Sequence, residues 1–346
     1  MSNILDYATG DGWVAHHGDC VEVLRVQPSD SIDYSIFSPP FASLYVYSPS
    51  DRDLGNCATH EEFYDHMSYL VPEMLRVTKA GRLLSFHCMQ LPTSLSRDGY
   101  IGLTDFRGIL IRVFQEHGWI YHSEVCIWKD PVTAMQRTKA LGLLHKTIRG
   151  DASMSRQGIA DYLVTMRKPG KSEQRIQHVG QNDPTNPLVQ RADDLRERQR
   201  SVEVWQRYAS PVWAAKDGID DEGFAKLAAT DDGTEDGGIL PGDTLQFRSA
   251  RENEDDRHIC PLQLSVIRRA IRLWTNPRDV VLSPFMGIGS EGYVALTEGR
   301  RFVGAELKKT YFDQAARNLK RAASEANQPN LLTLMGVSES MEGAAQ

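Results

Sequence analysis

The eight residues Ser283-Pro284-Phe285-Met286-Gly287-Ile288-Gly289-Ser290 constrain the fold of this 346-residue chain more than any other stretch. The apolar run Val280-Val281-Leu282 before them reads as a short buried strand, and Gly292-Tyr293-Val294-Ala295-Leu296 after them reads as the opening turns of a helix. Gly287 and Gly289 therefore fall where a strand must reverse into a helix, a place that needs positive φ and close backbone approach. Beyond Gly299, Arg301 to Glu306 reads as a second strand with an acid at its carboxyl end. In a nucleotide-binding βαβ unit that acid accepts from ribose hydroxyls. Two glycines alone are equally well explained by a tight turn, so the deciding signal has to come from elsewhere in the chain.

From the amino end, Trp13 to His17 is a strand candidate that leads into Gly18-Asp19-Cys20 and a helical Val21-Glu22-Val23-Leu24, which puts Asp19 at a strand's carboxyl end. Ser31 to Phe37 is a second strand that runs into Ser38-Pro39-Pro40-Phe41, where two prolines forbid further ladder pairing. Thr59 and Glu62 form a capping box for a helix with Phe63, Met67, Leu70, Val71, Met74 and Leu75 on its apolar face, closed by Lys79-Ala80-Gly81. Arg82 to His87 is the next strand, Asp105 to His117 the next helix, Trp119 to Lys129 and Asp161 to Met166 further strands. Strands and helices in alternation predict an α/β fold with a mostly parallel sheet. Regularity fails between Lys171 and Asp256, which reads as an insertion in which Trp205, Tyr208 and Trp213 form a small core. It returns with a helix from Pro261 to Trp274 and a last helix around Tyr311 to Leu319. The expected division is a first half at 1–170, an inserted, partly flexible region at 171–256, a second half at 257–328 and a tail at 329–346.

The net charge of −7 argues against a polyanionic partner until its distribution is considered. Eight acids against one base lie between Asp217 and Gly238, while Lys129 to Arg175 holds ten bases against four acids. Such a local excess can meet phosphate, which makes Arg137, Lys139, Lys146, Arg149 and Arg156 candidate nucleic-acid contacts, with a plain solvated face as the alternative. Five scattered cysteines without a C-x-x-C pair argue against a zinc site or a disulfide frame, and no metal is expected. The amino terminus lacks signal-peptide features and no run is long enough to span a bilayer, so an intracellular, cytoplasmic protein is expected.

Ser38-Pro39-Pro40-Phe41 is where chemistry can be placed. Proline fixes φ and so aims the neighbouring carbonyls, and Ser38 adds a hydroxyl acceptor. Two acceptors held together can bind an exocyclic NH₂ of a base, draw on its hydrogens and return lone-pair density to nitrogen, so that it attacks an electrophilic methyl. Phe41 is a candidate to stack on an extruded base. The alternative is an ordinary Pro-Pro turn at a strand end.

At this point the chain resembles a known family. Ser38-Pro39-Pro40-Phe41 is similar to the S/D/N-P-P-Y/F catalytic motif of the AdoMet-dependent amino-group DNA methyltransferases. Ser283 to Ser290 is similar to their cofactor motif. Catalytic motif first, insertion next and cofactor motif last is the order of their beta class, and the resemblance covers most of the chain outside 171–256. It implies a Rossmann-like sheet in circularly permuted motif order with an inserted recognition region. It implies catalysis through Ser38, Pro39, Pro40 and Phe41. S-adenosyl-L-methionine would be held by Asp19, at its adenine amine, and Glu306, at its ribose, with Cys20, Ser283, Pro284, Phe285, Gly287, Gly289 and Ser290 around it. His258 to Leu264 would enclose its methionine end. Ser283 stands where the family often has Asp, and Ser38 where adenine-N6 enzymes usually carry Asp or Asn. S-P-P-Y/F being commoner among cytosine-N4 enzymes, the implied target is cytosine N4, with adenine N6 as runner-up. C5 chemistry is disfavoured because no Pro-Cys dipeptide occurs. The implied partner is double-stranded DNA carrying a short specific sequence, met by a monomer or homodimer in a prokaryotic or phage restriction-modification setting. Rival readings are a methyltransferase of RNA or of a free base, and a nucleic-acid-binding module with a vestigial cofactor site.

Overall fold

The computed structural model describes residues 4–41, 54–57, 59–93, 95–128, 149–151, 158–176, 206, 208–213, 243–245 and 262–326. In chain order the elements are β1 (Ile4–Gly10), β2 (Trp13–Gly18), α1 (Cys20–Val26), β3 (Ile32–Phe37), α2 (His60–Val77), β4 (Thr78–Met89), β5 (Leu91–Pro92), α3 (Leu95–Asp98), β6 (Leu103–Thr104), α4 (Phe106–Glu116) and β7 (Ile120–Ile127). There follow β8 (Asp161–Arg167), β9 (Val212–Trp213), α5 (Leu264–Trp274), β10 (Val280–Ser283), α6 (Ser290–Thr297), β11 (Arg301–Glu306) and α7 (Lys309–Ala326). Among the described residues, nine strands make one sheet in the order β1-β2-β11-β10-β3-β4-β8-β7-β9.

The five strands β2, β11, β10, β3 and β4 are mutually parallel, while β1 and the β7–β8 pair run antiparallel to their neighbours. Central strands of such a sheet are covered on both faces, and β3 is buried along its whole length. Its side chains alternate between two cores. Tyr34 and Ile36 join one built with α5, α6 and α7, and Phe37 joins the other, built with α1, α2 and α4.

Three local expectations change. The sequence reading missed β1, whose signal was the Asp11-Gly12 pair that closes the hairpin to β2, with Gly12 at φ +76°. Lys79-Ala80-Gly81 does not close α2. The helix ends at its C-cap Thr78, and the tripeptide already belongs to β4. Gly81, at φ +73°, is required there because a Cβ would meet the Ser172 backbone nitrogen at 2.5 Å. Trp213 does not serve a separate small core, because β9 pairs with β7 at the sheet edge and its indole enters the core beside α5. Trp205 lies outside the described residues.

At the amino ends of the central strands, Arg82 of β4 lies between Asp33 of β3, 3.3 Å away, and Asp279, 3.2 Å away just before β10. All three side chains are almost wholly buried. Arg82 makes no aligned hydrogen bond to either acid, so the attraction is chiefly Coulombic. Asp33 also accepts from Val280 N–H at 2.9 Å and from Lys79 at 2.7 Å. Removing the one buried cation between two buried acids is costly. Arg82→Met is expected to lower unfolding free energy by about 3 to 5 kcal/mol, measured by urea denaturation, and a loss below about 1 kcal/mol would show the acids are satisfied without it.

Candidate active site

Parallel pairing of β3 with β10, in the register Val281 to Tyr34 and Leu282 to Ser35, carries both sequence motifs to the same edge of the sheet. Ser38 follows β3 and the glycine turn follows β10, so the two turns are neighbours; the Phe37 and Phe285 rings lie 5.9 Å apart between them. This edge, at the carboxyl ends of parallel strands, is where open α/β sheets bind ligands.

In the turn, Gly287 has φ +53° and Gly289 φ +85°, both in the left-handed region. Gly289 packs so closely on α7 that a Cβ there would meet Ala315 at 3.2 Å, whereas a Cβ on Gly287 would face open space. The turn is stitched to β11 by Met286 N–H donating to the Ala305 carbonyl at 3.0 Å. Glu306 completes the stitch, accepting from Gly287 N–H at 2.9 Å and from Lys308 N–H at 2.8 Å. Asp19 caps α1, its Oδ1 accepting from Val21 N–H at 2.9 Å and Glu22 N–H at 3.2 Å. Cys20 is buried, and burial pushes its thiol far above the usual range, so it stays protonated. Pro284 is buried and Phe285 partly so.

These residues fit a nucleoside-bearing cofactor. Space opens over Gly287, α6 begins without a side-chain cap and so presents backbone N–H groups, and partly exposed carboxylates stand at Asp19 and Glu306. The hydroxyls of Ser283 and Ser290 are buried yet have no partner among the described residues, as expected where a polar ligand completes the hydrogen bonding. Among the described residues no group of three or more His, Cys, Asp or Glu side chains is placed to hold a metal.

On the other turn, Ser38 is partly exposed and Pro39 buried. Phe41 is only 7% exposed, its ring edge-on to His87 at 6.0 Å and to Phe106 at 6.2 Å. Little of that ring is open, so its place is to wedge the motif against the core rather than to offer a broad stacking face. The sequence reading missed His87 and Asp161. Ser38 Oγ lies 3.0 Å from His87 Nδ1, and His87 Nε2 lies 2.6 Å from Asp161 Oδ2. Both residues stood at expected strand ends, but nothing local indicated that β8 runs antiparallel beside β4 and brings Asp161 to His87. Of the basic candidates, Arg149 is exposed, and Arg137, Lys139, Lys146 and Arg156 lie outside the described residues, as do His258, Ile259 and Cys260.

Comparison with known proteins adds to this geometry. A family described as DNA methylase matches residues 32–317. The chain is 41% identical over 100 residues to the type II methyltransferase M.BglII from Bacillus subtilis, covering 28% of each protein. It is 34% identical over 86 residues to the DNA adenine methyltransferase YhdJ from Escherichia coli K12, covering 24% of this chain and 29% of that one. The aligned stretches thus span under a third of these relatives. Among solved structures, PvuII DNA methyltransferase, cytosine-N4-specific, superposes with TM-score 0.54 at 15% identity over 94% of this chain and 95% of its own. A DNA modification methylase from Thermus thermophilus, TTHA0409, complexed with S-adenosyl-L-methionine, gives 0.56 at 19% over 89% and 95%. The fold is therefore that of these proteins.

Glu291, in the first turn of α6, yields a pH test of the turn. Burial, aided by the nearby Glu306 charge, pushes its carboxyl from 4.5 up to about 8. The folded protein then holds a proton that the unfolded chain releases above its ordinary value, so stability falls as pH rises from 4.5 to 8. Glu291→Gln is expected to remove a few kcal/mol of that fall (order of magnitude), seen as melting temperatures of wild type and variant that diverge with rising pH. Parallel curves would show that Glu291 is charged when folded.

Proposed function

We propose that this chain, which belongs to the DNA methylase family, transfers a methyl group from S-adenosyl-L-methionine to the exocyclic N4 amine of a cytosine flipped out of double-stranded DNA. Membership of the family stands for DNA amino-methyl transfer of the N4/N6 class. The finer choice of cytosine rests on Ser38, since S-P-P-F is the form the resemblance associates with cytosine N4. One observation carries the reading: the amine-binding turn after β3 and the cofactor turn after β10 sit at the ends of adjacent parallel strands.

The chain's own residues divide the work. Gly287 leaves room for the donor, and Gly289 lets the turn close on α7. The N–H groups opening α6 with the Ser283 and Ser290 hydroxyls take its polar methionine end. Asp19 and Glu306 take the adenine amine and the ribose. When bound, the cofactor supplies an electrophilic methyl on a sulfonium centre. Pro39 and Pro40 hold the backbone at fixed φ, so that a carbonyl of this turn and Ser38 Oγ accept the two hydrogens of the target amine. Both contacts strengthen as nitrogen becomes tetrahedral, which lowers the barrier without a strong base. Base extrusion is needed because the amine is unreachable inside a stacked duplex. Arg149 and the basic segment around it supply phosphate contacts that position the duplex.

The test is chemical. DNA from cells expressing the protein is digested and its nucleosides identified by mass spectrometry, with N4-methylcytosine expected. N6-methyladenine in its place would move the assignment to adenine, the substrate in the name of the YhdJ relative. Unmodified DNA together with retained cofactor binding would favour a binding module instead. Within the site, Pro39→Ala is expected to slow methyl transfer about 100-fold, the scale of losing one oriented transition-state contact, while leaving the calorimetric Kd for S-adenosyl-L-methionine within about twofold. Gly287→Val is expected to invert that pattern by filling the cradle and weakening cofactor binding first. Equal losses in both quantities for both variants would overturn the division of labour.

A further inference from the structure

We propose that His87 and Asp161 form a proton relay behind Ser38: Asp161 orients the imidazole, and the imidazole takes, through the Ser38 hydroxyl, the proton that the target amine must lose. The inference rests on the methyl-transfer reading above, and adds to it two positioning residues and a destination for the proton. It is carried by the continuity of the chain of contacts, Ser38 Oγ to His87 Nδ1 at 3.0 Å and His87 Nε2 to Asp161 Oδ2 at 2.6 Å. Ser38 is partly exposed at the crevice, whereas His87 is 2% and Asp161 1% exposed. The chain therefore runs from the site straight into the protein interior.

Burying a carboxylate and an imidazole costs free energy unless they are paired and hydrogen-bonded. The β4–β8 ladder holds without them, pairing backbone from Leu83 to Met89 with Asp161 to Arg167. What the pair does that the ladder does not is fix one tautomer. An Nε2–H donating to Asp161 leaves the Nδ1 lone pair facing Ser38, so the serine hydroxyl donates inward and turns its own lone pairs to the crevice. A neutral serine oxygen aimed in this way is an acceptor for an amine hydrogen. Without the imidazole its hydroxyl proton is free to rotate toward the base.

The step balances. The amine nitrogen forms its bond to carbon, the sulfur–carbon bond breaks and its electron pair remains on sulfur, leaving a positively charged nitrogen. One N–H proton passes to Ser38 Oγ as the serine proton passes to His87 Nδ1. The amine product ends neutral, serine is restored, and the positive charge rests on an imidazolium held against the Asp161 carboxylate until solvent takes the proton. The other titratable groups packed round the pair are Cys88 on β4, Cys126 and Glu124 on β7, Arg107 on α4 and Asp105 at its cap. Arg107 is ion-paired with Glu124 at 3.1 Å. Burial raises both thiols, so neither ionises below its usual range.

Single-turnover methylation of DNA, followed against pH at saturating S-adenosyl-L-methionine, tests the relay. Wild type is expected to lose rate on the acid side as the imidazole protonates in advance. His87→Gln is expected to be slower by about 100-fold, the scale of general-base assistance, with that acid limb gone. Asp161→Asn, which keeps a hydrogen-bond acceptor but not the charge, is expected to move the limb to lower pH, because an imidazolium without its counter-charge is less favoured. Cofactor Kd by calorimetry and the melting temperature are expected to stay near wild type in the variants. If His87→Gln does not fold, the shift in Asp161→Asn decides. Variants that retain the wild-type limb, or lose rate only in proportion to cofactor binding or stability, overturn the relay while leaving methyl transfer standing. A wild-type protein that methylates no DNA would instead remove the reading beneath it.

Discussion

The site exists because β3 and β10 lie side by side in parallel, although the residues that tie their amino ends, Asp33 and Val280, are 247 positions apart. Parallel neighbours send both their carboxyl ends to the same edge. Once that ladder forms, a Pro-Pro turn and a glycine turn that share no local sequence logic must face one another. Nothing else in the chain imposes this, since neither turn contains groups that would recognise the other.

The strands are held in that arrangement by polar groups at both ends. At the amino edge, Asp33, Arg82 and Asp279 link β3, β4 and the approach to β10 in one buried charge cluster. At the carboxyl edge, Ser38, His87 and Asp161 link β3, β4 and β8. The two strands between are apolar on both faces and buried in two cores. Buried ionic groups are weak sources of stability and better sources of registry. A one-residue slip of β3 against β4 would break both clusters together, so register is defined where chemistry needs it.

How much of this could be read from the residues divides along physical lines. The helices with one apolar stripe, such as the one capped by Thr59, and the strands that end in punctuation, such as Ile32 to Phe37 before two prolines, carry their own local signals. The glycine turn and Glu306 are legible because a strand-to-helix reversal beside a ligand restricts residue types. The missing features are those that depend on pairing. β1 is mostly exposed and so lacks an apolar stripe. Gly81 resembles a helix stop until the backbone of Gly170 to Ser172 is seen packed against it. His87 and Asp161 look like two unremarkable strand-end residues until β8 turns antiparallel. Trp213 reads as part of a small local core because its partners on α5 come fifty residues later in the chain.

The order of strands bears on how the molecule comes into being. β10 and β11 are consecutive in sequence and sit wedged between β2 and β3, which are themselves made at the start. A nascent chain emerging amino end first can form the hairpin β1–β2 and the ladder from β3 onward, but those pieces remain separated by a slot two strands wide. Only when the last stretch leaves the ribosome can it slide in and weld them. Until then two apolar edges stand open, and such long-range closure is slow and exposed to aggregation. The cofactor turn is part of the piece that closes the slot, so capacity to bind the donor and completion of the sheet arrive in the same event.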